Sequence, residues 1–207
     1  MEVFKSVCKR KLSISDEVLS EWQKKIEEQY SNRHYHNLNM IEKKMEVIRE
    51  FTDDETLSCA LIFASIFQYY HFDGKEDKVQ DNCDEFKLFV EQAGIKDTAL
   101  INRILRMLQD STLTDDVEDF QDDVDIFKDL ELVILGSSNE DYNQYTRNVE
   151  KEYSSDNDDS YKKDRLKMLK TLLMIPSIYS NQTLRDKYEG TARTNINMEI
   201  EELEKLN

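Results

Sequence analysis

One proline and four glycines in 207 residues constrain this chain more than any motif it carries. Proline and glycine punctuate turns, so an all-β fold, or a Rossmann-like fold with its glycine-rich loop, would need more of both. Helices need few. The chain is therefore read as all-α, and the apolar residues bear this out by falling at three- and four-residue steps.

The first helix is expected over about Asp16–Tyr30, capped by Ser13 or Ser15, with Val18, Leu19, Trp22, Ile26 and Tyr30 as its buried stripe. A second follows SNRHYHNL and carries Leu38, Ile41, Met45 and Ile48 on one face. The segment TLSCALIFASIFQYY is apolar nearly all round, the mark of a helix surrounded by others. A polar loop, HFDGKEDKVQDN, leads to a helix starting near Asp81 or Asn82, carrying Cys83, Phe86, Phe89 and Val90 and ending at Gly94. Asp97 caps a fifth helix with Leu100, Ile101, Ile104, Leu105 and Leu108. IFKDLELVILG is a short apolar helix stopping at Gly136, and Ser138 caps the next, with Tyr142, Tyr145, Val149 and Tyr153 on one side. Helices around Tyr161–Met174 and through Leu184, Tyr188, Ala192, Ile196, Ile200 and Leu203 complete the chain. No internal repeat appears. The economical organisation is one helical domain over 1–207, with a core of about 14–205 and residues 1–13 as an N-terminal tail.

The formal net charge of -16 repels nucleic acid and anionic lipid and leaves no basic stripe for a phosphate backbone. A solvated acidic face is its simplest meaning, and a basic protein partner the sharper one. Cys8, Cys59 and Cys83 form neither a disulfide framework nor a zinc knuckle. The start, MEVFKSVCKRK, has no apolar signal core, and no stretch approaches the roughly 20 apolar residues of a membrane span. An intracellular, cytoplasmic protein is expected.

Chemistry-bearing patterns are sparse. The acidic run DSTLTDDVEDFQDDVD lacks the glycine of a calcium-binding loop and reads as solvated loop, as does SSDNDDS. His34 and His36 stand two apart, which on a helix turns their rings about 200° from each other. His71 lies close to Asp73, an arrangement that usually marks a hydrogen-bonded structural residue. There is no GxSxG elbow and no phosphate loop, which excludes the P-loop, dinucleotide, kinase and α/β-hydrolase classes.

Six short segments nevertheless occur in a telling order: RHYHNLNMI at 33–41, ALIFASIFQYYHFD at 60–73 with DN at 81–82, KDLELVILG at 128–136, YNQYTRNVEKEY at 142–153, DRLKMLKTLL at 164–173 and YEGTARTNINMEIEEL at 188–203. In this order and spacing the chain resembles the small predicted HD-superfamily metal-dependent phosphohydrolases, from Trp22 to Leu203. The resemblance implies a helical HD-domain-like bundle in which histidines and aspartates hold divalent metal and a metal-bound water attacks phosphorus. It also implies that the metal shell is degraded. Met40 stands at the expected histidine of the first segment, Gln68 and Tyr69 at the His-Asp pair, and Asp110 near a later histidine. Asp129 is kept, Glu131 replaces a second aspartate, Asn82 is kept beside Cys83 in place of a glutamate, and Glu150 stands for an arginine. A neutral amide and a phenol are poor substitutes for imidazole and carboxylate as ligands of zinc or manganese.

The expectation that follows is a catalytically inactive, HD-like protein-interaction or scaffold module with a protein partner and no cofactor, with a homodimer as a further option. Arg33, His36, Asn37, Gln68, Tyr69, Asp129 and Arg193 are expected to line a remnant pocket or to form a buried network. The alternatives are an active phosphohydrolase using His36, His71, Asp73, Asp129 and Glu131 with a divalent metal, or a non-catalytic sensor of a small anion or nucleotide.

Overall fold

The computed structural model describes residues 2–74, 78–109, 120–154 and 160–205. Among the described residues there are ten α-helices and no β-strand, so the fold is all-α. None of these helices is long and apolar enough to cross a membrane. The helices fall into two compact units, residues 1–127 and 128–207.

The first unit contains α1 (Glu2–Lys11), α2 (Asp16–Gln29), α3 (Leu38–Phe51), α4 (Glu55–Phe67), α5 (Val79–Ala93), α6 (Thr98–Gln109) and the start of α7 (Gln121–Leu132). Its organising element is α4. Nine consecutive residues, Cys59 to Phe67, are buried, and α1, α3, α5 and α6 all pack against it. Such a helix has no face for water, so its polar ends must be closed by side chains. Asp54 closes the N-terminus by accepting from Thr56 N at 2.8 Å and Leu57 N at 3.1 Å. A continuous aromatic cluster, Phe4, Trp22, Phe63, Phe67, Phe86 and Phe89, holds α1, α2, α4 and α5 together with ring centroids 5.2–6.5 Å apart. The Trp22 indole N–H donates to Gln92 Oε1 at 2.9 Å, which satisfies the polar edge of an otherwise buried ring.

Local signals fall where the sequence places them. Ser15 caps α2, Asp97 accepts from Leu100 N at 3.0 Å at the start of α6, and Gly94 ends α5 at φ 66°. Three expectations change. The segment expected as an N-terminal tail contains α1, whose Phe4 and Cys8 are fully buried. Helix α5 begins at Val79, ahead of Asp81, and Asn82 is a buried residue of its second turn. In the acidic run, residues 110–119 lie outside the described residues, whereas Gln121–Asp125 are the first turns of α7, with Asp123 buried against Arg103 in a two-pronged ion pair. The segment 155–159 of the second acidic run also lies outside the described residues.

The second unit contains the end of α7, a 3-10 turn at Val133–Gly136, α8 (Asn139–Tyr153), α9 (Ser160–Met174) and α10 (Gln182–Lys205). Ser138 caps α8 by accepting from Asp141 N at 3.2 Å. The turn at Val133–Gly136 packs closely on α10, where Asn195 donates to the carbonyls of Leu135 (2.8 Å) and Ser137 (3.0 Å). Tyr142 and Val149 form the buried side of α8, while Tyr153, expected on that side, is 41% exposed.

Candidate functional site

The positions expected to hold a His-Asp pair lie just past the C-terminus of α4, where helix carbonyls are left without intrahelical partners. The Tyr30 hydroxyl closes one by donating to the Ile66 carbonyl, while the Arg33 guanidinium donates to carbonyls just beyond the helix, Tyr69 and, at 2.8 Å, Tyr70, and lies 4.5 Å over the Tyr30 ring. A cation at that end also meets the negative pole of the helix. His36 is 4% exposed, with its ring centroid 4.0 Å from that of Tyr69, 4.6 Å from Phe72 and 4.9 Å from Tyr35. Tyr69 therefore contributes an aromatic face to this cluster, with the Lys44 ammonium 5.6 Å from its ring centre. Asn37 is the N-cap of α3, accepting from Asn39 N and Met40 N at 3.0 and 3.2 Å. Met40 belongs to the buried core.

Asn82 is the other bracket of this segment. Its amide donates to the Gln68 carbonyl at 2.6 Å and accepts from His71 N at 2.6 Å, tying α5 to the chain that leaves α4. His71 Nε2 lies 3.2 Å from Glu85, and Asp73 is paired with Lys78 at 3.1 Å. His71 and Asp73, two of the five residues of the catalytic alternative, are thus engaged with partners on different parts of α5 and its entry. His34 is exposed while His36 is buried, as suits a pair that does not share one ion. Gln68 Oε1 and Ser65 Oγ are buried and have no hydrogen-bond partner among the described residues.

Asp129 and Arg193 belong to the second unit and grip its 175–181 segment. Asp129, 2% exposed, accepts from Ser180 N at 2.9 Å and Asn181 N at 2.6 Å. Asn181 then caps α10 through Thr183 N at 2.9 Å. Glu189 accepts from Ile178 N at 3.0 Å, and Arg193 donates to Glu189 and to the carbonyls of Leu173, Ile175 and Pro176. Both guanidinium groups expected in a remnant pocket, Arg33 and Arg193, thus hold carbonyls at or just beyond helix ends. Glu131 is half-buried on α7.

A cleft of about 340 Å³ opens between α8, α9 and α10, bordered by Arg147, Glu150, Tyr161 and Glu202. Its floor is a buried ion pair, in which Arg165 Nε and Nη2 meet Glu199 Oε1 and Oε2 at 2.8 and 3.0 Å. The Tyr142 hydroxyl donates to Glu199, and Arg165 donates to the Tyr145 hydroxyl at 3.0 Å. Burial pushes the Tyr161 phenol up to about 12 and the Tyr142 phenol higher still, so both are neutral donors at neutral pH. At the floor of the cleft the charge is fixed and mutually satisfied.

Arg165 and Glu199 went unnoticed as a site in the sequence. Each stands where an apolar stripe calls for a hydrophobe: Arg165 one turn before Leu169, Glu199 between Ile196 and Ile200. A charged residue on the buried side of a helical stripe was the available signal.

Among the described residues, no group of three or more histidines, cysteines and carboxylates is placed to hold a metal ion. Cys8, Cys59 and Cys83 are free and buried, and burial pushes the Cys59 thiol up to about 12, far from a reactive thiolate at neutral pH. No family model matches this chain, and no curated protein or solved structure is significantly similar to it.

Proposed function

We propose that this chain is a non-catalytic helical binding module: an HD-phosphohydrolase-like scaffold that has kept its helices without the metal chemistry, and that works by binding a protein inside the cell. The observation that carries the reading is what each candidate residue touches. At the expected His-Asp pair stand Gln68 and Tyr69, with Tyr69 packed on His36 and its carbonyl held by Arg33. His71 is committed to Glu85, Asp73 to Lys78, and Asp129 to two backbone amides. The ligands of a metal site converge on one centre, whereas these side chains face separate partners. Three free, buried thiols suit a reducing compartment.

The test is metal content by mass spectrometry on protein purified without chelators, together with turnover on a panel of nucleotides and phosphoesters in manganese, iron, zinc or magnesium. Substoichiometric metal and no turnover are expected. Metal-dependent hydrolysis that is lost in Asp73→Asn, an exposed position whose substitution leaves the core intact, would replace this reading with the phosphohydrolase.

A further inference from the structure

We infer that the exposed face of α9 is the docking surface of this module, and that its occupant is an acidic amphipathic helix of a partner protein. This rests on the protein-binding reading above and names the surface and the chemistry of the partner.

Helix α9 is unlike the rest of the chain in both charge and burial. It carries five basic residues and one acidic residue, Asp164, in a protein of net charge -16. Only Arg165 and Leu169 are buried; α9 packs chiefly on α10, and Arg165 also reaches Tyr145 of α8. On its outer side, Lys163, Leu166, Lys167, Lys170, Thr171 and Met174 border a shallow hollow of about 420 Å³. Their spacing of three, four, seven, eight and eleven places them on one stripe of the helix. Met174 is 84% exposed. Methionine suits such a place, since its flexible thioether moulds to a partner's side chains. Lys170 is paired with Glu204 at 2.6 Å, whereas Lys163 and Lys167 are exposed. An apolar stripe rimmed by lysines is met by a helix with leucine-like residues on one side and carboxylates beside them.

The same charges argue against the other occupants. A second copy docking α9 on α9 would set lysine against lysine at close range. An anionic membrane is a plane far wider than α9 and would also meet the acidic surface of a chain of net charge -16, whereas a single helix covers only the lysine-rimmed stripe.

The experiment is a fluorescence-anisotropy titration of the full chain against a labelled helical peptide of about 15 residues with leucines at heptad positions and glutamates flanking them. Two control peptides replace the glutamates by lysines or scramble the order. The acidic helix is expected to saturate with a Kd on the order of 10–100 μM, as befits a small interface, and to bind more weakly as salt rises past about 0.15 M. The pair Lys167→Glu with Met174→Asp, both at exposed positions, is expected to weaken binding at least about tenfold, with helix content by circular dichroism unchanged. The proposal is overturned by failure to saturate below about 1 mM, by equal binding of a control peptide, or by indifference to the double substitution. It is equally overturned if the double substitution abolishes instead a self-association seen by sedimentation or an adsorption to phosphatidylserine vesicles. Loss of peptide binding with no metal-dependent turnover defeats this inference alone; turnover defeats the function it rests on.

Discussion

Replacing Glu199 by alanine should be among the most damaging single changes in the second unit, and the loss should be largely recoverable by also removing its partner. The Arg165 side chain is 5% exposed and Glu199 10%, so neither charge is hydrated enough to stand alone. Glu199→Ala removes three hydrogen bonds, two from Arg165 and one from the Tyr142 hydroxyl, and leaves the guanidinium with the Tyr145 hydroxyl at 3.0 Å. Breaking a buried pair from one side costs about 3–5 kcal/mol. With a urea dependence of roughly 2 kcal/mol per molar, the midpoint should fall by about 2 M. Arg165→Met with Glu199→Leu removes both charges and should recover most of this, leaving about 1–3 kcal/mol because the buried Tyr142 hydroxyl has lost its acceptor. Adding Tyr142→Phe should bring the triple variant within about 1 kcal/mol of the parent. Urea titrations followed by far-ultraviolet circular dichroism read all three. If Glu199→Ala and the Arg165→Met, Glu199→Leu pair lose the same stability, the two charges are not coupled and the reasoning fails.

Two further outcomes follow from single positions. A methyl group on Gly136 would lie 2.6 Å from Tyr188 Cβ and 2.7 Å from the Tyr188 carbonyl oxygen, so Gly136→Ala must push the turn off α10. A loss of about 1–3 kcal/mol is expected in thermal or urea melts, while parent-like stability would show that the turn gives way freely. At the other end of the chain, Leu57 N and then Thr56 N hold the Asp54 carboxyl below its ordinary value. Because the folded value is the lower one, this cap contributes fully above the ordinary aspartate range and is lost as pH falls through the folded value. Asp54→Ala should therefore cost about 1 kcal/mol at neutral pH, with the gap to the parent closing below about pH 4. A gap that persists at low pH would mean that the cap is not ionic.

Much of the fold was legible because its signals are local. Ser15, Asp97, Ser138 and Gly94 act within four residues of themselves, and α4 is recognisable by being apolar on every side. The start of α5 was less accessible. Asn82 looks like a cap, but its amide is drawn to Gln68 and His71, fourteen and eleven positions away, and the helix begins earlier without a side-chain cap. Helix α1 is short and basic in its last turn, and its order comes from burying Phe4 and Cys8 in a unit whose centre, α4, begins more than forty residues later. In the acidic run, Asp123 is indistinguishable from its neighbours until Arg103, twenty residues back, is brought to it.

The candidate site divides along the same line. Residue type singles out its polar positions but does not say whether a carboxylate faces a metal, a lysine or a backbone amide. The sequence by itself determined an all-helical chain, because helix hydrogen bonds, caps and the 3.6-residue apolar stripe are settled over a few neighbouring residues. Only the tertiary structure decided that His71 meets Glu85, that Asp129 holds Ser180 and Asn181, and that Arg165 lies buried on Glu199. Those partners are 14, 51, 52 and 34 residues apart, and which side chains desolvate one another at such separations is fixed by how the helices pack.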